Sequence, residues 1–298
     1  FDEAEIEREK QVVLQELGEA RDTPDDIVFD HLSSASYPGQ TYGRPVLGEE
    51  TTIAAIDTGA LRRWLDEQYR PSGLILAAAG KVDEDLLLKL AEARFGDLAP
   101  GTPPVFEAAT FAGTTVTDAR RFDQVHIAFA HPGVDQRHAD VYALNLFASA
   151  AGGGMSSRLF QEVREERGLA YSVYAWSQAA ADTGQLGVYL AAAKADAPRA
   201  FALAREVLAR TAETLDEAEL HRAKAQAKAG LLMGLESVQS RCDHLARQIQ
   251  VHGRSVPVAE TVATIDGVDL ATARRAGQDA ISGGIATASV GGKLARVA

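Results

Sequence analysis

The chain has 298 residues, 46% of them hydrophobic and 24% charged, the proportions of an ordinary globular protein of about two domains. Its 42 acidic side chains outnumber 30 basic ones for a net charge of −12, which argues against nucleic acid or an anionic membrane as the main partner. A single cysteine, Cys242, excludes an internal disulfide and fits a reducing, cytoplasmic setting, and no apolar run approaches the ~20 residues a membrane span needs.

Taken in order, residues 3–21 read as a helix, with Ile6, Val13, Leu14 and Leu17 at helical spacing among Glu, Lys and Arg. Pro24 suits the first turn of a second helix, about 25–35. Pro38, Gly39, Gly43, Pro45 and Gly48 make 37–49 a loop. A helix over about 58–69, capped by Asp57 or Thr58, stops before Pro71. The apolar run from Gly73 to Gly80 predicts a buried strand, and Asp83 caps a helix that ends at Phe95. The segment 99–104, with three prolines and a glycine, is the expected linker. Beyond it come strands at about 114–119 and 124–130, a helix over 138–149, a helix to about Glu166, and an antiparallel pair at 171–179 and 185–193. A helix over 198–213, another capped by Asp216, two further helices and a strand at about 285–290 complete the chain.

The chain also repeats itself. Phe1-Asp2-Glu3-Ala4-Glu5-Ile6 is echoed by Leu215-Asp216-Glu217-Ala218-Glu219-Leu220 at an offset of 214. Asp30-His31-Leu32 is echoed by Asp243-His244-Leu245 at 213, and Thr52-Ile53, Asp57 and Arg62-Arg63 by Thr264-Ile265, Asp269 and Arg274-Arg275 at 212. A period this long indicates a duplicated domain rather than a solenoid. The expected architecture is therefore α+β, with two α/β sandwich domains of largely antiparallel sheet: residues 1–103 as the latter half of a truncated first copy and 104–298 as a complete second copy. On this alignment roughly 110 residues are expected ahead of Phe1.

Chemistry concentrates in three places. Glu9 and Glu16, seven residues apart, share one helix face, and the echoing copy has Ala223 and Gly230 instead. A solvated acidic face is the plain alternative, but it gives no reason for the asymmetry. Gly152-Gly153-Gly154 lacks any phosphate-loop pattern, and suits a hinge, a close approach by a peptide, or a merely flexible connection. Arg164 and Tyr171 can both donate to a peptide carbonyl or carboxylate, though taken alone they also suit a surface ion pair and an ordinary strand aromatic. The seven histidines form no two-histidine, one-acid cluster at helical spacing. His126 and His131, five apart near one strand, should face opposite sides, while the echoed His31 and His244 suggest a shared structural role. Cys242 reads as a small buried residue.

The run from Glu5 through Glu16, EIEREKQVVLQE, resembles the distal acidic helix of the pitrilysin/insulinase family of zinc peptidases, which includes the mitochondrial processing peptidase and its bacterial relatives. The runs Gly152–Phe160 and Gly168–Tyr174 resemble that family's second domain. The resemblance implies a peptidase in which zinc-activated water attacks a peptide carbonyl. It assigns Glu16 as the third zinc ligand, Glu9 a supporting catalytic role, and Arg164 and Tyr171 the grip on an extended peptide substrate that adds to a sheet edge. It also implies a homodimer or a heterodimer with a related subunit. No His-x-x-Glu-His occurs in the chain, so zinc is expected in the intact protein, and none in this polypeptide alone, which should be inactive by itself. The other reading kept open is a non-catalytic core or regulatory subunit; a third, a small-molecule site at Gly152–Gly154, has only its glycines behind it.

Overall fold

The computed structural model describes residues 1–102, 105 and 107–294. Pro103 and Pro104, the end of the expected linker and the expected domain boundary, lie outside the described residues. By its contacts the chain divides into two compact units. One comprises Phe1–Gln15, Glu49–Glu107 and Ala229–Pro257; the other comprises Glu16–Gly48, Ala108–Lys228 and Val258–Ala298. Two of the divisions fall inside helices, α1 (Glu3–Asp22) and α8 (Glu217–Gly234).

The larger unit is built on one five-stranded sheet of β1 (Thr115–Asp118), β2 (Gln124–Pro132), β3 (Ser172–Ala179), β4 (Gly184–Ala193) and β5 (Ala286–Val290), in the order β1-β5-β2-β4-β3. All neighbours run antiparallel except β1 and β5, which are parallel. The α+β, largely antiparallel architecture expected from the sequence is thus present. The two-residue period of β2 splits its side chains between two cores. Val125, Ile127 and Phe129 join Leu186, Val188 and Leu190 of β4 beneath α6 (Val141–Gly152), α7 (Ala197–Thr214) and α11 (Leu270–Ser282). Ala128 and Ala130 face the other way, with Tyr189, Ala288 and Val290, against Val28, Leu32 and Ala35 of α2 (Pro24–Ser36). Helices therefore cover both faces of the sheet. Tyr37, just past α2, is fully buried, and its hydroxyl reaches Thr183 Oγ1 (2.9 Å) and donates to the Gly184 carbonyl (3.2 Å), tying that helix to the β3–β4 turn.

The smaller unit contains α3 (Glu50–Ala54), α4 (Thr58–Gln68), α5 (Glu84–Phe95) and α9 (Val238–His252), with the start of α1 and the end of α8. The buried strand expected at 73–80 is corrected here: Pro71–Gly73 is a 3₁₀ turn, and 74–79 has no regular structure. Leu74, Ile75 and Leu76 are 44%, 43% and 56% exposed. An apolar run becomes a strand only where a neighbouring strand takes up its backbone hydrogen bonds, and the unit has none among the described residues. Cys242 is half-buried, not fully, and its thiol donates to the Ala77 carbonyl (3.2 Å).

Several echoed residues do the same local work. Asp57 Oδ1 accepts from the Ala60 amide (2.6 Å) and caps α4, while Asp269 Oδ1 accepts from Thr272 (2.7 Å) and caps α11. Asp2 accepts from Glu5 N (3.2 Å) as Asp216 does from Glu219 N (2.8 Å). The histidines do not follow suit. His31 stands 3.6 Å from Asp118, whereas His244 lies 2.7 Å from Gln248, so the echo does not extend to a shared partner.

His126 and His131 do face opposite sides of β2. The His126 ring meets the Tyr189 hydroxyl (2.8 Å), and His131 Nδ1 donates to the Gly284 carbonyl (2.5 Å) beside Phe129. Burial pushes the His131 imidazole below its ordinary range, against the smaller opposing effect of that hydrogen bond. As the medium acidifies, the unfolded chain therefore takes up this proton first, and stability is lost as pH falls through about 6.5. Urea midpoints should drop between about pH 7.5 and about pH 5.5, and less steeply in His131→Gln; equal slopes in the two proteins would contradict the assignment.

Candidate peptide-gripping cleft

The site begins where α6 ends. Gly152, its last residue, is buried, and a Cβ there would lie 2.4 Å from the Ala175 amide nitrogen and 2.7 Å from the Ala175 Cβ. Only glycine lets the helix end come this close to β3. A Cβ on Gly153 would likewise meet Ser149 at 2.7 Å, whereas at Gly154 it would only touch Gln226, at 3.7 Å. The first two glycines thus serve the packing of the chain on itself rather than a hinge.

The chain then turns back. Ser157 Oγ donates to the Gly154 carbonyl (2.6 Å). Arg158 forks onto Glu219 with two 2.6 Å bonds and reaches Thr214 Oγ1 (2.6 Å) and the Thr214 carbonyl (2.8 Å), which pins this segment to the α7–α8 junction. From Phe160 to Glu165 the helix expected over this stretch is π-helical, with the Glu166 amide bonding the Gln161 carbonyl five residues back (2.8 Å). Gly168, at φ 59°, takes the left-handed conformation that closes the turn. Its amide bonds the Arg164 carbonyl (3.0 Å), and the Leu169 amide bonds that of Val163 (2.9 Å). Tyr171 then joins the sheet through its amide to the Ala191 carbonyl (3.0 Å).

This path brings Arg164 and Tyr171 together, as the sequence suggested. The guanidinium carbon stands 5.4 Å from the Tyr171 ring centroid, and the tyrosine is 75% exposed. Both line an open cleft of about 370 Å³ with Gln124, Gly168, Ala192 and Asp196. The cleft lies at the start of β3, and no strand pairs with the outer edge of β3 among the described residues. Arg164 Nε is 3.5 Å from Glu165, an exposed pair that does little to hold it. An arginine fork, a phenol and an open strand edge together can receive an extended backbone.

The other candidates lie on α1. Glu5 and Glu7 are paired on that helix, with Arg8 and with Lys10 (2.7 Å) respectively. Glu9 and Glu16 are exposed, and neither has an ion-pair or hydrogen-bond partner among the described residues. Glu9 belongs to the smaller unit and Glu16 to the larger. Among the described residues no group of three or more His, Cys, Asp or Glu side chains could hold a metal. The donors present do not amount to a zinc site, since a protein zinc centre needs three or four of them.

Comparison with known proteins decides the lineage. Residues 1–50 match the insulinase family (peptidase family M16), and residues 55–227 match the peptidase M16 inactive domain. This chain belongs to peptidase family M16. Among its relatives, an uncharacterized zinc protease of Bacillus subtilis is 33% identical over 272 residues, covering 91% of this chain and 66% of the relative. An uncharacterized zinc protease of Mycobacterium tuberculosis is 36% identical over 278 residues, covering 89% and 62%. The chain thus spans slightly less than two thirds of the length of these relatives. The fold is shared with the peptidase M16 inactive domain from Pseudomonas fluorescens (TM-score 0.87, 19% identity, 99% of this chain and 72% of that one). It is shared too with a chain of complex III from Candida albicans (TM-score 0.86, 22% identity, 95% and 70%).

Sequence reasoning missed the π-turn and the contact of the Phe160 ring with the Arg164 guanidinium, 4.6 Å from centroid to guanidinium carbon. An aromatic ring four residues before an arginine on a helix was the available signal. Replacing Gly152 with Ala should lower stability by about 1–3 kcal/mol, because helix or strand must shift. Denaturant unfolding checks this, and an unchanged midpoint would show that the contact yields freely.

Proposed function

We propose that this chain is part of a zinc-dependent M16 endopeptidase and supplies its grip on extended peptides. The observation that carries this reading is the convergence of Arg164 and Tyr171 on one open cleft at the start of β3, the edge strand of the sheet. An extended peptide laid along β3 adds main-chain hydrogen bonds to the sheet, and the guanidinium and phenol donate to its carbonyl groups or to a terminal carboxylate. Residues 104–298 are the gripping, non-catalytic repeat, and residues 1–103 are the latter half of the metal-bearing one. The names of the relatives support a zinc peptidase as the whole protein.

In that whole protein, Glu16 is a ligand this chain lends to zinc, and Glu9 supports the site. Their exposure and lack of partners leave both carboxylates available. Zinc would supply a Lewis acid and an activated water; this chain's own part is to bind and orient the peptide. Alone, the chain is inactive. It works as a homodimer or with a related subunit, in the cytoplasm; the structure's one bearing on location is that no helix among the described residues is long and apolar enough to cross a membrane. A second reading, a non-catalytic core or regulatory subunit, draws support from the fold shared with a chain of complex III.

Two experiments test the proposal. In fluorescence anisotropy with labelled unstructured decapeptides, Arg164→Ala should weaken binding about tenfold or more, the equivalent of one charged hydrogen bond. Tyr171→Phe should cost about threefold. Wild-type affinity in both variants would remove the pair from the site. In the whole gene product, Glu16→Gln should lower the bound zinc measured by plasma mass spectrometry several-fold; unchanged stoichiometry would refute Glu16 as a ligand. Zinc-dependent cleavage by that product separates the endopeptidase from the regulatory subunit.

A further inference from the structure

Arg164 lies within cation–π reach of two rings. Besides Tyr171 at 5.4 Å, its guanidinium carbon stands 4.6 Å from the ring centroid of Phe160, the first residue of the π-turn. The backbone of that turn is held independently of this stack. On the turn, Glu162 is gripped by Arg210 (2.6 Å to Oε1, with a second contact to Oε2) and approached by Arg167 (3.7 Å). Val163 and Leu159 are fully buried beneath it. The turn is therefore fixed, whereas the Arg164 side chain, 38% exposed, is paired among the described residues only with a neighbouring exposed glutamate and has no firm polar anchor among them. Aromatic rings supply what is missing. A guanidinium lying against a ring uses its face for the cation–π contact and keeps its N–H groups, which lie in its plane, free to donate.

We propose that Phe160 is a positioning residue for peptide binding: its ring holds the Arg164 guanidinium against Tyr171 so that the N–H fork stays presented to the cleft. The inference rests on the reading of the cleft as a peptide grip, and it adds a third member to it. Phe160 acts through Arg164, whose guanidinium it contacts.

A double-mutant cycle tests this on the 298-residue chain, using anisotropy with a panel of fluorescein-labelled decapeptides. Phe160→Leu keeps an apolar side chain but removes the ring, and should weaken binding about threefold, as an exposed cation–π contact implies. Phe160→Tyr should restore it. In an Arg164→Ala background, Phe160→Leu should have no further effect. In spectra of arginine-¹⁵N-labelled protein, the Arg164 Nε–H signal should sit upfield in the wild type and in Phe160→Tyr, and move downfield in Phe160→Leu. If Phe160→Leu melts early, Phe160→Met replaces it in the same cycle. An equal loss in the Arg164→Ala background would make Phe160 a merely structural residue and overturn the proposal. So would a Phe160→Leu variant that binds as the wild type does while Arg164→Ala has lost affinity. Indifference of binding to Arg164→Ala, or a wild-type chain that captures no peptide, overturns the grip itself and Phe160's part with it.

Discussion

The arrangement of the larger unit depends on how closely the end of α6 approaches β3. At Gly152 the helix backbone comes so near the strand that a methyl group would collide with the Ala175 amide. That approach fixes where the chain leaves the helix, and so where the next eighteen or so residues must run to regain the sheet. Arg158 anchors the outgoing segment, the π-turn carries Arg164 outward, and left-handed Gly168 swings the chain back to Tyr171. The two cleft residues meet because the path between them is constrained at both ends.

A π-turn is the costlier form of helix, with poorer hydrogen-bond geometry than the α form, and it persists where surrounding structure over-determines it. Here Glu162 with Arg210 on one side and buried Val163 on the other supply that determination. The consequence is an arginine within reach of two rings and held by only one exposed ion pair among the described residues. On the proposed reading, binding chemistry is assembled from weak contacts, each worth little alone, on a backbone that is not free to rearrange.

Local signals were legible where the responsible interactions are themselves local. Asp57, Asp83 and Asp216 cap the helices that follow them, Pro24 opens α2, and Asp182-Thr183-Gly184 turns β3 into β4. The pairing of Arg164 with Tyr171 came from the family resemblance, since taken alone the two residues also suit a surface ion pair and an ordinary strand aromatic. What could not be read was non-local. The run 73–80 has strand composition, but no strand lies beside it, and composition does not reveal a partner. The insertion of β5 between β1 and β2, parallel to the first and antiparallel to the second, joins segments some 170 residues apart. The π-turn escaped because shifting one hydrogen bond by one residue leaves the apolar pattern Leu159, Phe160, Val163 almost unchanged.

The central claim, that an extended peptide lies along the open edge of β3 under the Arg164–Tyr171 pair, is tested most directly by a crystal structure of this chain with a bound peptide. The account predicts a peptide backbone hydrogen-bonded to β3, with an oxygen of the peptide within about 3.2 Å of the Arg164 guanidinium or the Tyr171 hydroxyl. A peptide seated along β1, or bound with Arg164 and Tyr171 untouched, would contradict it.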